Sequence, residues 1–143
     1  MLPLPWTPGP AAPRHPAEVT VMASELRLRR LRDVPRFLTA SMAILRQTRK
    51  APGAVGVTLR AAPLKRTFWT LSAWESREAI NAFVRAEPHR SLMVGLRPAM
   101  AGSVFTFWQA AGGPPPTWAE ADRRIEDQRR KETRAGTGRP DAA

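Results

Sequence analysis

Phe68-Trp69-Thr70-Leu71-Ser72-Ala73-Trp74-Glu75-Ser76, continuing through Ala79 and Phe83 to Pro88-His89, is where the chain changes from one periodicity to another. Up to Trp74 the aromatic and hydroxyl-bearing side chains read as a strand. From Ser76 the apolar residues Ala79, Ile80, Phe83 and Val84 recur at helical spacing. A strand running directly into a helix supplies both a fold assignment and a candidate ligand pocket. It supplies no reaction, because no complete catalytic constellation is legible in the sequence.

Before this junction, residues 55–61 read as a strand and Ala62-Pro63-Leu64-Lys65 as the turn into the strand 66–74. Val19-Thr20-Val21-Met22 opens an earlier strand. Leu26 and Leu28 alternate with Arg27 and Arg29 as it runs on to about Leu31. Asp33 stands where an N-cap is expected, with Pro35 in the first turn. Val34, Phe37, Leu38, Ser41, Met42 and Leu45 then follow at helical spacing, and the helix ends before Pro52-Gly53. After the junction, Pro88 breaks the second helix, and Leu92, Met93 and Leu96 predict a short continuation. Residues 103–109 form a last strand, with Phe105 and Phe107 on one face and Val104, Thr106 and Trp108 on the other. The order is βαββαβ: an α+β, ferredoxin-like antiparallel sheet with two helices on one face.

The domain so defined spans residues 18–111. Residues 1–17 carry Pro3, Pro5, Pro8, Pro10, Pro13 and Pro16 and read as a flexible, extended segment. Pro114, Pro115 and Pro116 form a linker, and Thr117-Trp118-Ala119-Glu120 matches a capping box for a charged helix reaching about Arg134. Residues 135–143 read as disordered. Both tails are therefore expected to be dispensable for folding.

The 143 residues hold 15 prolines, about twice ordinary usage, and no cysteine, which excludes disulfides and thiolate chemistry. The start lacks a basic region followed by an uninterrupted apolar run, and no segment is apolar for long enough to span a bilayer. A cytoplasmic protein is expected. The net charge of +11 invites a polyanion partner. Much of it, though, lies in Arg123, Arg124, Arg129, Arg130, Lys131, Arg134 and Arg139, interspersed with Glu126, Asp127 and Glu132 as on a solvated helix. A nucleic-acid partner is not the expectation.

The element order, together with Trp74-x-Ser76-x-x-Ala79-x-x-x-Phe83, resembles the antibiotic biosynthesis monooxygenase-like families of the dimeric α/β-barrel superfamily. The resemblance covers about two-thirds of the chain. It implies a homodimer with a pocket between the sheet and helices of each protomer. It also implies an activity drawn from cofactor-free oxygenation of aromatic molecules, haem binding or haem degradation. Haem-degrading members use an asparagine in the first strand and a tryptophan and a histidine on the second helix. Glu25, Phe83 and Met93 stand there instead, so the resemblance does not extend to haem degradation, and haem binding is left as an alternative. Dimerisation also follows from the pattern itself. Trp69 and Leu71 alternate with Phe68 and Trp74, so both sheet faces are apolar and the one away from the helices needs a cover.

Within this frame Trp74 and His89 are the candidate catalytic residues. Trp74 offers a flat wall and an indole N–H, and His89 is the one histidine of the folded region, a base near neutral pH. Ser72, Trp69, Phe83, Trp108, Ser24 and Arg66 are candidate substrate-binding residues. Ser72 shares the parity of Trp74, and either parity is compatible with the helix side. No set of metal ligands is visible. The expected ligand is a hydrophobic aromatic small molecule, converted by a cofactor-independent monooxygenase, with a non-enzymatic ligand- or haem-binding barrel as the alternative. An RNA-recognition motif shares the topology, and Lys65-Arg66-Thr67-Phe68-Trp69 faintly matches its signature. Thr67 replaces the glycine of that signature, however, and the first strand lacks a stacking aromatic.

Overall fold

In the computed structural model, which describes residues 2–136, the alternating segments form one antiparallel sheet. Its strands are β1 (Leu2–Pro3), β2 (Thr7–Pro8), β3 (Glu18–Leu28), β4 (Ala54–Ala62), β5 (Thr67–Trp74) and β6 (Met100–Ala111). The helices are α1 (Val34–Thr48), α2 (Arg77–Arg85), α3 (His89–Leu96) and α4 (Trp118–Gly136). The sheet order is β1-β4-β5-β3-β6, with β2 also pairing with β4. The four long strands are those of the expected α+β ferredoxin-like fold. Residues 137–143, most of the tail expected to be disordered, lie outside the described residues.

Register assigns the faces. Met22 pairs with Ser72 and Phe107, and Leu26 pairs with Phe68. The parity carrying Phe68, Ser72 and Trp74 therefore faces α1, α2 and α3. Leu26, Phe37, Phe68 and Leu96 form one cluster there, and Trp74, Ile80 and Phe83 another. The expected strand to Leu31 stops at Leu28, because Leu31–Asp33 winds into a 3-10 turn. That turn gives Asp33 helical backbone angles, and its side chain caps nothing; an N-cap needs extended geometry. Ser76, not singled out as a cap in the sequence, has that geometry and accepts a hydrogen bond from the Ala79 amide at 3.1 Å.

Two expectations are corrected, the first of them on the opposite face. α4 lies across it, with Ala121 and Ile125 buried against Val19, Val21, Ala23, Leu71, Ala73 and Trp108. The bare apolar face, the physical basis for expecting a partner subunit, is thus covered from within the chain. Arg60 of β4 fastens the helix. Its guanidinium lies 4.4 Å from the ring centres of both Trp69 and Trp118 and forms two hydrogen bonds to Asp122, at 2.6 and 3.2 Å. At the start of α4 only half of the expected capping box forms. Thr117 accepts from the Glu120 amide at 3.2 Å, while the Glu120 carboxylate pairs with Arg123 and Arg124.

The second correction concerns residues 1–17. The described part of this segment is not loose: β1 and β2 run along the β4 edge, and the Leu4 amide donates to the Leu59 carbonyl at 2.8 Å. Trp6 folds over Gly56, where an added Cβ would lie 2.3 Å from the indole, so only glycine leaves room. Ala11 is fully buried. Leu2–Pro3 and Thr7–Pro8 are extended, as an edge allows for prolines whose missing amides face outward, while Ala12–Arg14 winds into a 3-10 turn. Deleting this segment would uncover the β4 edge, so its removal is expected to lower stability.

Candidate functional site

The even residues of β3 and β5 form the floor of a cavity of about 240 Å³ beneath α1, closed at one end by α2 and α3. Ser24, Thr70, Ser72, Trp74, Phe83 and His89 lie in its wall. The chain thus brings together the two candidate catalytic residues and four of the candidate binding residues, Ser24, Trp69, Ser72 and Phe83. The reason is local: the strand puts Ser72 and Trp74 on the helix side, Ser76 starts α2 at once, and nearly two turns of α2 bring Phe83 over Trp74. Their ring centres are 5.0 Å apart.

Trp74 is 1% exposed, and its indole N–H donates to the Ser72 hydroxyl at 2.8 Å. The N–H expected to anchor a ligand is therefore already engaged. Trp74 acts as a rigid wall, and the Ser72 hydroxyl, accepting from it, keeps its own proton to donate. The Ser24 and Thr70 hydroxyls lie 2.5 Å apart across β3 and β5. These paired hydroxyls sit in a wall otherwise made mostly of aliphatic and aromatic groups. A floor of this kind accepts a flat apolar molecule and offers few directional contacts to orient it.

His89 is the first residue of α3 and packs its ring 5.0 Å from that of Phe83. Gln47 of α1 positions its backbone, accepting from the His89 amide at 2.8 Å. Its Nδ1 is buried with no hydrogen-bond partner among the described residues. Burial pulls the imidazole pKa below its ordinary value, against a smaller opposing pull from the Val84 backbone. At pH 7 the ring is neutral, with its Nδ1 closed off from solvent. The sign for stability follows. A histidine whose folded pKa is depressed binds fewer protons folded than unfolded just below pH 6.5. Stability should therefore fall as pH drops from about 6.5 towards the folded pKa. Urea melts of the protein and of His89→Phe between pH 7.5 and 5 check this; the variant should lose that part of the slope.

One of these four is shared with the α4 side, and the other two candidates lie elsewhere. Trp69 borders the cavity, but its indole stacks on Arg60 under α4. Trp108 belongs to the α4 face, with Arg124 5.0 Å from its ring centre. Arg66 is exposed at the β4–β5 turn, in left-handed backbone geometry, away from the cavity wall. The strand parity, open in the sequence, decides the first two. Met93 joins His89 in the wall, whereas Glu25 lies on the α4 face and pairs with Arg129 at 2.5 Å. The sequence did not single out Thr70 and Thr48. Thr70 was findable from its parity with Ser72; Thr48 needed the helix phase.

Among the described residues there is no group of three or more metal-ligating side chains, and no helix long and apolar enough to cross a membrane. The face opposite the helices, on which an RNA-recognition motif stacks bases, is the one beneath α4.

A sheet of this order with a helix-covered cavity is a ferredoxin-like fold, and solved structures share it. A candidate antibiotic biosynthesis monooxygenase from Nitrosomonas europaea superposes with a TM-score of 0.58 at 17% identity, covering 69% of this chain and 93% of that one. SnoaB, a cofactor-independent oxygenase from Streptomyces nogalater, gives 0.55 at 17% identity, over 70% and 99%. A conserved protein from Methanosarcina mazei gives 0.58 at 10% identity, over 64% and 92%. At these identities the likeness is one of fold. A search among curated proteins returns no match. By sequence, the chain belongs to the family described as a domain of unknown function (DUF3291), whose profile matches residues 27–136. That match takes in α4, so the covering helix is part of the family's domain.

Proposed function

We propose that the protein is a cofactor-independent monooxygenase acting on a compact hydrophobic aromatic molecule, with His89 as the base. The observation that carries this is the placement of a neutral, half-buried histidine, its Nδ1 unpartnered, in the wall of an apolar cavity. In such surroundings a phenolate, once formed, loses the stabilisation that water gives it and becomes a better electron donor. His89 takes the phenolic proton. The electron-rich ring gives one electron to dioxygen, and the resulting radical pair joins to form a carbon–oxygen bond. Cleavage of the O–O bond leaves one oxygen as a ring carbonyl and releases the other as water. The substrate supplies all the electrons, and the net change is a phenol plus O₂ to a quinone plus H₂O. Ser72 is placed to donate to the developing carbonyl oxygen, and Trp74 with Phe83 holds the ring.

Haem binding fits the cavity less well. Drug-sized ligands fill sites of about 300–1,000 Å³, and a porphyrin is a large ligand on that scale. The 240 Å³ here is too small without displacing α1. The likeness to a cofactor-independent oxygenase supports the same direction.

Oxygen-electrode assays with 1-naphthol and other electron-rich phenols test the reading. The expected result is one O₂ consumed per quinone formed, with ¹⁸O from labelled O₂ in the product and no loss of rate after chelation. Tight binding with no oxygen consumption would overturn the enzymatic reading in favour of a ligand-binding barrel.

A further inference from the structure

The wall of the cavity is long and its volume is small. It follows α1 from Phe37 to Thr48, which at the rise of a helix is about 16 Å. It follows β5 from Phe68 to Trp74, about 20 Å at the rise of a strand. An apolar lining of this length suits an extended ligand with its polar group at one end. At one end stand Trp74, Phe83, His89 and the hydroxyl of Ser72. Towards the β4 edge, the rim is formed by Leu4, Leu38 and Met42, which are 41%, 39% and 43% exposed. Three large apolar side chains at the rim of an apolar cavity are costly on a free surface unless something apolar passes between them.

We propose that the ligand is a phenol bearing an unbranched alkyl tail. The single-ring head lies against Trp74 and Phe83 with its hydroxyl at His89. The tail runs beneath α1, past Ile44 and Leu45, and leaves between Leu38, Met42 and Leu4. This rests on the reading of the His89 end as the reacting end, but concerns the rest of the cavity. Leu4 gives the N-terminal segment a role: its backbone is held to β4 by bonds to Leu59 and Thr58, so a tail emerges against an ordered edge.

Calorimetric binding of 4-propyl-, 4-pentyl-, 4-heptyl- and 4-nonylphenol under argon tests the proposal without any turnover. Affinity should rise about three- to fourfold per methylene, as for transfer of a buried CH₂ from water, and then level off once the tail passes the rim. Met42→Asp, and separately Leu38→Asp, should flatten this rise, since both positions are partly exposed and accept a charge without a core cavity. Thermal melts of both variants confirm folding. Equal affinity from propyl to nonyl, or a rise that both rim variants leave intact, would overturn the tail channel. His89-dependent oxidation of short phenols would survive that result. A steep chain-length dependence without oxygen consumption would keep the channel and remove the enzymatic reading.

Discussion

Trp74→Ala is expected to lower stability by about 3–5 kcal/mol, the range for truncating a large aromatic residue in a packed core. Trp74 is almost fully buried among Ala54, Ile80 and Phe83 and belongs to the largest enclosed side chains of the domain. The substitution also strips the Ser72 hydroxyl of its donor and enlarges the cavity at its reacting end. The variant should therefore melt earlier in urea with an unchanged m-value. Where it remains folded, it should bind flat ligands more weakly. Trp74→Phe separates the two effects: it restores most of the packing while leaving Ser72 without the indole donor. A Trp74→Ala protein as stable as the parent would mean that the indole is not the wall described here.

Ending the chain at Ala111 should have an effect at least as large. Without α4, the face formed by Val19, Val21, Leu71 and Trp108 becomes bare, and Arg60 loses both Trp118 and Asp122. An exposed apolar sheet face of that extent favours self-association or loss of the native state. Sedimentation should show species larger than those of the full chain, with Trp108 fluorescence moved by its new surroundings. A milder version, Arg60→Ala, should loosen α4 without removing it, and proteolysis should then cut near residues 112–117 before the sheet is attacked. A truncated chain with the same association state and stability as the parent would show that α4 does not serve as the cover of this face.

These two results bear on how a chain of this kind is read. The strand–helix junction at Trp74 and Ser76 was legible because a period of two gives way to a period of 3.6 within two residues, and that fixed the ferredoxin-like order. The pairing of Ser72 with Trp74 was legible too, since residues two apart on a strand share a face. Which face met the helices was not, because Phe68 and Trp69 are equally apolar. Only the register of β5 against β3 and the landing of α4 put Trp74 on the cavity floor and pack Trp69 and Trp108 against the α4 side. The role of α4 was missed for a related reason. Its sequence is dominated by charges, and just two small or branched residues, Ala121 and Ile125, are fully buried against the sheet, a stripe too narrow to stand out. The edge position of residues 2–8 was hidden by their prolines, which are scored against strands although an edge accepts them.

His89 was picked from the sequence for being alone. The structure gives it a physical setting: a first-turn position on α3, a ring tilted against that of Phe83, and an Nδ1 with no hydrogen-bond partner among the described residues. The measurement that tests the central claim most directly is the steady-state oxidation of an electron-rich phenol by the parent protein and by His89→Ala. If His89 takes the phenolic proton, kcat should fall by about 10²–10⁴, the usual contribution of a positioned general base, while the dissociation constant measured under argon stays nearly the same. The acid limb of the parent's pH–rate profile should lie below the ordinary histidine value, because burial holds the imidazole neutral. An unchanged kcat in His89→Ala, with the parent's pH profile retained, would contradict the account.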